Sequence, residues 1–420
     1  MELSAGYKVT EVGVVPEDWN VKTIEEVAFV TSGKRLPLGS SLVDMPTPHP
    51  YIRVTDMRPG TVDLSELKYV PESVFPAIRR YRIYQADIFV SVAGSLGIVG
   101  KIPEEIDGAN LTENADRITD IICSQDYLLY VLLSPLIQNT IESIRTVGAQ
   151  PKLALTRLRK FAIPLPPTEA EQRAIATALS DADALLGGLD RLIAKKRNLK
   201  QAVKHQLLAG QTRLPGFSGV REVRRLGEVA DTLKGSGLSK DQVVPHGSRP
   251  CVLYGELFTT YDRVISTVVS RTNSVDGCVS VAGDVLIPAS TTTSGIDLAT
   301  ASALLEDAVA LGGDINIIRR RSDFYDPTFL AHYLSTVRRD QIAELTQGIT
   351  IHHLYGRELR TLDLELPSLE EQIAIAAVLS DMDAEIEALE ARRAKTHDLK
   401  QAMMQELLTG KTRLVQPAAA

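Results

Sequence analysis

The residues best suited to chemistry in this sequence lie on polar loops. "SVAGSLG" at 91–97 follows the strand-like run "ADIFV", and "PASTTTSG" at 288–295 follows the matching run "GDVLI". Two further stretches correspond in the same way, "TVGAQPK" at 146–152 and "TQGITIHH" at 346–353. Hydroxyls, amides, imidazoles and amines on loops can bond base edges and phosphate oxygens, so polar recognition is the chemistry to expect. The candidates are Ser95, Gln150 and Lys152 in the first half, and Thr291, Thr292, Gln347, His352 and His353 in the second. Arginine runs, "RRYR" at 79–82, "RLRK" at 157–160 and "RRR" at 319–321, can supply phosphate contacts or bidentate guanine reading. Arg79, Arg80 and Arg320 come from such runs, and Arg53 from "YIRVTDM". Taken alone, each loop reads as well as a surface turn, and each charge run as a solvated face. For the loops as a group, shared position with different content favours recognition.

Catalytic patterns are incomplete wherever they arise. "SVAGSLG" lacks the G-K-[ST] of a phosphate-binding loop and the G-x-G-x-x-G order of a dinucleotide site. "YDPTF" at 325–329 resembles an amino-methyltransferase motif but lacks its second proline. Asp326 as a helix cap, with Pro327 at the first helical position, explains it better. "ELK" at 66–68 has the Glu-x-Lys spacing of many nucleases without a preceding Pro-Asp. On a strand, His352 and His353 point to opposite faces and do not easily share a metal. Cys123, Cys251 and Cys278 form no CxxC pair and read as reduced structural thiols. No nucleophile, base and electrostatic partner assemble, so no catalytic residue, metal site or cofactor is expected in this chain.

The elements that position these loops come in two copies. At 420 residues the chain is too long for one ordinary core. At an offset of 200, "EAEQRAIATALSDADA" from Glu169 falls on "LEEQIAIAAVLSDMDA" from Leu369, and "LKQAVKHQLLAGQTRL" from Leu199 falls on "LKQAMMQELLTGKTRL" from Leu399. Upstream the likeness is weaker but keeps its order, as in "EVAFVTSGK" at 26 and "EVADTLKGSG" at 228. The chain therefore reads as a tandem duplication, each half a variable mixed α and β part followed by a well-kept helix. "DYLLYVLLSPLIQNTIESI" from Asp126 and "DPTFLAHYLSTVRRDQIAEL" from Asp326 have helical periodicity within the variable parts. The expected segments are a first domain at 1–167, a helix at 168–212, a second domain at 213–367 and a second helix at 368–415.

Each repeated helix has legible ends and an apolar stripe. Thr168 with Glu171, and Ser368 with Glu371, fit the capping box, while Gly210 and Gly410 suit left-handed closure. Ile175, Leu179, Ala182, Leu186, Leu189 and Ile193, with Ile375, Leu379, Met382, Ile386 and Leu389, follow coiled-coil spacing. Lys196 and Arg393 fall near the seam, and Gly187 and Gly188 sit mid-helix, where a bend is expected. The fold expected is α+β: two similar mixed domains joined by two long helices in an antiparallel coiled coil, with a pseudo-twofold axis.

Composition constrains the class. Hydrophobic content of 44% and charged content of 24% suit an ordinary globular protein, with no apolar run long enough to span a membrane. The start lacks a signal-peptide pattern, so a cytoplasmic protein is expected. A net charge of −7 argues mildly against nucleic-acid binding and requires any basic surface to be local.

This order of parts, with the E-Q pairs opening both helices and the start "GYKVTEVGVVPEDWNVKTIEEVA", resembles the specificity subunit of Type I restriction-modification enzymes over nearly the whole chain. The resemblance implies that the variable parts are target-recognition domains, each reading half of a split site in double-stranded DNA. It implies that the helices space them and bind two methyltransferase subunits, with restriction subunits joining, and that this subunit is not itself catalytic. S-adenosylmethionine, ATP and Mg²⁺ are then implied for the partner subunits. By the same resemblance, Glu171, Gln172, Asp181, Asp183, Glu371, Gln372, Asp381 and Asp383 are partner-contact candidates, with Leu207 and Leu407 tested for docking or rod formation. A structural adaptor binding proteins rather than DNA is the alternative, and an enzyme acting alone is the third class.

Overall fold

The computed structural model describes residues 5–144 and 152–415, so Gln150 lies outside the described residues. The chain divides into two compact units, residues 1–190 with 391–420, and residues 191–390. This partition departs from the expected one, because each unit takes a variable domain together with half of each long helix.

Beside two short antiparallel pairs, Tyr7–Thr10 with Gly13–Pro16 and Met57–Arg58 with Thr61–Val62, the strands of unit 1 are β1 (Asn20–Thr23), β2 (Phe29–Ser32), β3 (Pro50–Ile52), β4 (Lys68–Tyr69), β5 (Arg82–Ile83), β6 (Ile88–Ser91), β7 (Val99–Lys101), β8 (Ala109–Leu111), β9 (Ala115–Thr119) and β10 (Ala162–Leu165). They form sheets in the orders β7-β6-β9-β2 and β4-β3-β8-β5, plus the pair β10-β1. The continuous run Ile88–Ser91 is buried at every residue, as a central strand covered on both faces requires. The helix expected from Asp126 is two helices, α1 (Gln125–Leu133) and α2 (Pro135–Ser143). Pro135 disfavours helical backbone at Ser134, which is extended, and so breaks the helix there. The first long helix, α3 (Glu169–Leu208), gives its opening half to this unit. Ile175 and Leu179 join the unit 1 core with Met404, Leu407 and Leu408 from the closing half of the second.

Unit 2 repeats the plan. Its strands are β11 (Glu222–Arg225), β12 (Ala230–Lys234), β13 (Arg249–Val252), β14 (Val264–Ile265), β15 (Arg271–Thr272), β16 (Cys278–Val279), β17 (Asp284–Pro288), β18 (Ser290–Thr291), β19 (Ser302–Leu304), β20 (Ala310–Leu311), β21 (Ile315–Arg320), β22 (His352–His353) and β23 (Asp363–Leu366). The sheet orders are β12-β21-β17-β19-β14 and β15-β13-β20-β16, with pairs β11-β23 and β18-β22. Both units pair the middle strands of their second sheet in parallel, β3 with β8 and β13 with β20. Two halves of divergent sequence thus share one scaffold. Helices α4 (Pro327–Thr336) and α5 (Arg339–Glu344) follow, and Asp326 caps α4 by accepting from Phe329 N at 2.8 Å, with Pro327 leading the helix. The second long helix, α6 (Leu369–Leu407), gives Ile375 and Leu379 to the unit 2 core beside Leu207 and Leu208.

The helix pair is antiparallel within each unit. In unit 1, Lys400 donates to Asp183 at 2.6 Å and Arg393 to Asp190 at 2.7 Å. In unit 2, Lys200 pairs with Asp383, and Lys196 with Glu385 at 2.6 Å. Lys196 and Arg393, which the sequence places near the apolar seam, therefore end in cross-helix ion pairs. Helix α3 is continuous through Gly187 and Gly188, and a Cβ at Gly188 would meet nothing within 4 Å.

Candidate nucleic-acid interface

In unit 1 the chain leaves the buried strand β6 and turns at once. The Ser91 hydroxyl donates to the Ser95 carbonyl at 2.5 Å and accepts from Ile98 N at 2.8 Å, which bolts the turn to the strand end. Ser95 stands exposed on it. Ala93 forms a bridge with Lys152, and Leu153 N donates to Val92 O at 2.9 Å. Two candidates some sixty residues apart in sequence thus share one backbone platform. Burial raises the Asp116 carboxyl pKa on the neighbouring strand β9, and the charges of Lys152 and Arg159 oppose that shift.

Unit 2 builds the same platform more fully. Strand β18 follows β17 and pairs with β22 in the register Ser290 to His353 and Thr291 to His352. Gln347 and His353 exchange both backbone hydrogen bonds, at 2.8 and 2.7 Å, closing a hairpin. Gly348 turns it with φ +111°, where a Cβ would lie 2.0 Å from the Ile351 carbonyl. Thr291, Gln347, His352 and His353 therefore converge, with Thr292 exposed on the adjoining turn. Ile349 at the hairpin tip is 94% exposed. A cavity of about 320 Å³ borders the hairpin, lined by Lys234, Asn316, His353, Tyr355 and Arg357 among others.

The arginine candidates separate by what they already hold. Arg53 makes a two-pronged pair with Asp56, at 2.6 and 3.0 Å, and donates to Glu66 O at 2.7 Å. With Asp56 buried, this guanidinium is committed to its own loop. The strand in "YIRVTDM" stops at Ile52, and a 3-10 turn (Val54–Asp56) follows in which Asp56 accepts from Arg53 N at 2.8 Å. Arg320 leans on Asp323 at 3.4 Å, outside the loop platform. Its neighbour Arg319 is held by the buried Asp284. Arg79 and Arg80 are exposed directly after a short helix and form no ion pair among the described residues.

The repeated helix ends do something the sequence reading missed. After each helix, Gly210 (φ +72°) and Gly410 (φ +70°) turn the chain back. Arg213 then reaches Glu371, with Nε at 2.9 Å, and Arg413 reaches Glu171, with Nη2 at 2.8 Å. Arg413 also pairs with Asp18 and lies over the buried Trp19 ring. Gln172 accepts from Ser124 N at 2.9 Å and donates to Pro166 O, and Gln372 accepts from Asp326 N at 3.0 Å and donates to Pro367 O. Glu171, Gln172, Glu371 and Gln372 are buried and serve the chain's own interior, not a partner-facing surface. Leu207 and Leu407 are likewise core residues. The capping boxes are half formed: Thr168 and Ser368 accept from the helix, while the glutamates turn to arginine. Asp183 and Asp383 hold cross-helix lysines, and only Asp181 and Asp381 stand exposed. The signal was present in "GQTRL" and "GKTRL", whose arginines recur with the glycines.

Comparison with known proteins matches this doubled architecture. The family model for the Type I restriction modification DNA specificity domain matches residues 16–195 and again 221–396. A protein of Methanocaldococcus jannaschii described as the specificity subunit of the type I restriction enzyme MjaX is 27% identical over 432 residues, covering 97% of each chain. Among solved structures, the HsdS subunit from Thermoanaerobacter tengcongensis aligns over 95% of this chain and 98% of its own, with TM-score 0.52 and 20% identity. The S subunit from M. genitalium aligns over 97% and 98%, with TM-score 0.55 and 16% identity. Because the family model matches both halves, each carrying one copy of the scaffold, the chain belongs to the Type I restriction-modification DNA specificity family.

Proposed function

We propose that the chain reads a two-part target in double-stranded DNA, one part per unit, and directs two methyltransferase subunits to it, with restriction subunits joining the complex. The observation that carries the reading is the paired-loop platform, which occupies the same place in both units but presents different side chains. A platform of fixed backbone with exchangeable hydroxyl, amide and imidazole groups suits base-edge reading, while Arg79 and Arg80 suit phosphate positioning. In this proposal the chain is not a catalyst. S-adenosylmethionine, ATP and Mg²⁺ act on the partner subunits.

The test is methylation of a random DNA library, with S-adenosylmethionine, by this chain with and without its candidate methyltransferase, followed by sequencing of the modified sites. Methylation by the mixture alone, at one two-part motif with a fixed gap, is the expected result. Methylation by this chain alone, or none from a mixture that demonstrably assembles, overturns the proposal.

A further inference from the structure

The two units differ sharply at one equivalent position behind the helix pair. Ser124 and Asp326 begin α1 and α4 alike, each giving its backbone N–H to a repeated glutamine, Gln172 or Gln372. Six residues on stand Tyr130 in unit 1 and His332 in unit 2. Tyr130 donates its hydroxyl to Asp183 at 3.0 Å beneath Lys400, and Met404, one turn along, is buried in the core. In unit 2 the repeat supplies Asp383, Lys200 and Lys204 at the corresponding places, so a cation stands where unit 1 has a methionine. Neither ring nitrogen of His332, only 2% exposed, has a hydrogen-bond partner among the described residues.

His332 lines a cavity of about 750 Å³ that also takes in Lys200, Lys204, Arg263, Asp262 and Glu387. Lys200 is neutralised by Asp383. Lys204 and Arg263 are half-buried and form no ion pair among the described residues, and burial lowers the pKa of both. The carboxylates of Asp262 and Glu387 are exposed, where water screens them. Among the described residues Arg263 donates only one long bond, to Ala301 O at 3.4 Å, and half-buried cations beside an unsatisfied imidazole are costly; an anion accepting from both cations and from the one imidazole N–H relieves part of that cost.

We infer that unit 2 holds a binding site for a small phosphate-class oxyanion, formed by Lys204, Arg263 and His332. The imidazole is recessed, so the ligand is a small oxyanion, and the duplex control in the test separates a free anion from a phosphate carried on nucleic acid. Because this cavity lies between the helix pair and the domain of unit 2, occupancy ties that domain more firmly to its helices. The inference does not depend on how DNA is read.

The test uses the full chain and orthophosphate, with chloride at matched ionic strength and a duplex oligonucleotide as controls. The readouts are calorimetric binding and the histidine ring nitrogen NMR signals. Saturable orthophosphate binding that moves the His332 signals is expected, weakened at least about tenfold in Lys204→Met, which installs the unit 1 residue. His332→Tyr, again the unit 1 residue, gives a second variant and should lose the binding as well. Equal effects of phosphate and chloride, binding unchanged in folded variants, or His332 signals moved only by the duplex would each overturn the assignment.

Discussion

Tyr130 and His332 show how one substitution in a duplicated scaffold changes what a buried position demands. Burial, reinforced by Lys200, Lys204 and Arg263, lowers the His332 pKa from 6.5 to about 3. Between those values the denatured chain binds a proton that the native chain excludes. The stability this group supports is therefore complete above about pH 6.5 and lost as pH falls toward 3. In phosphate-free buffer, His332→Tyr should make the acid side of the stability curve shallower by up to about 1.4 kcal/mol per pH unit, read by urea unfolding. The exposed platform gives a different kind of prediction. Gln347→Ala or Lys152→Ala should each relax reading in one half of the target, by about 1–3 kcal/mol at the affected base pair, and leave the other half unchanged. Methylated-site sequencing separates the two. These side chains were legible as candidates because loop position repeats while content does not. That Thr291 faces His352 across a two-strand ladder was not legible, since the pairing spans about sixty residues.

At the scale of elements, the long helices follow from the sequence almost directly, because caps, stripe and glycine closure all agree. Their fastening does not. Glu171 looks like a capping residue from its neighbours, yet its partner Arg413 lies 242 residues away and no local rule connects them. Removing Arg413 leaves a buried carboxylate without its counterion, so Arg413→Ala should cost about 3 kcal/mol, measured by denaturant unfolding. Gly188 presents the opposite case. With φ negative and open space around its Cβ position, it satisfies no structural need within α3. Gly188→Ala should stabilise the helix by about 0.5–1 kcal/mol, visible as a raised unfolding midpoint. The Ser134–Pro135 break is a plainer lesson, since apolar periodicity continued across a proline that backbone geometry does not let pass.

At the scale of the whole molecule, duplication explains why fold and surface are read so unevenly from sequence. The strand orders of the two second sheets match position for position, although their residues have diverged and only weak ordered likeness survives. Hydrophobic burial tolerates such exchange where volume and pattern are kept, while the ion-paired helix ends tolerate far less. The same organisation carries a temporal asymmetry. Unit 2 is one unbroken stretch, residues 191–390, whereas unit 1 is completed only by residues 391–420. During synthesis the second-made unit therefore has all its parts first, and the first-made unit waits for Met404, Leu407 and Arg413 to emerge. A chain stopped after Glu390 should protect the amides of β17 and β21 from hydrogen exchange while those of β1 and β10 exchange freely. In this protein the amino-terminal domain is the last to mature, and a chain cut short between residues 391 and 413 carries an opening half that is still unfinished.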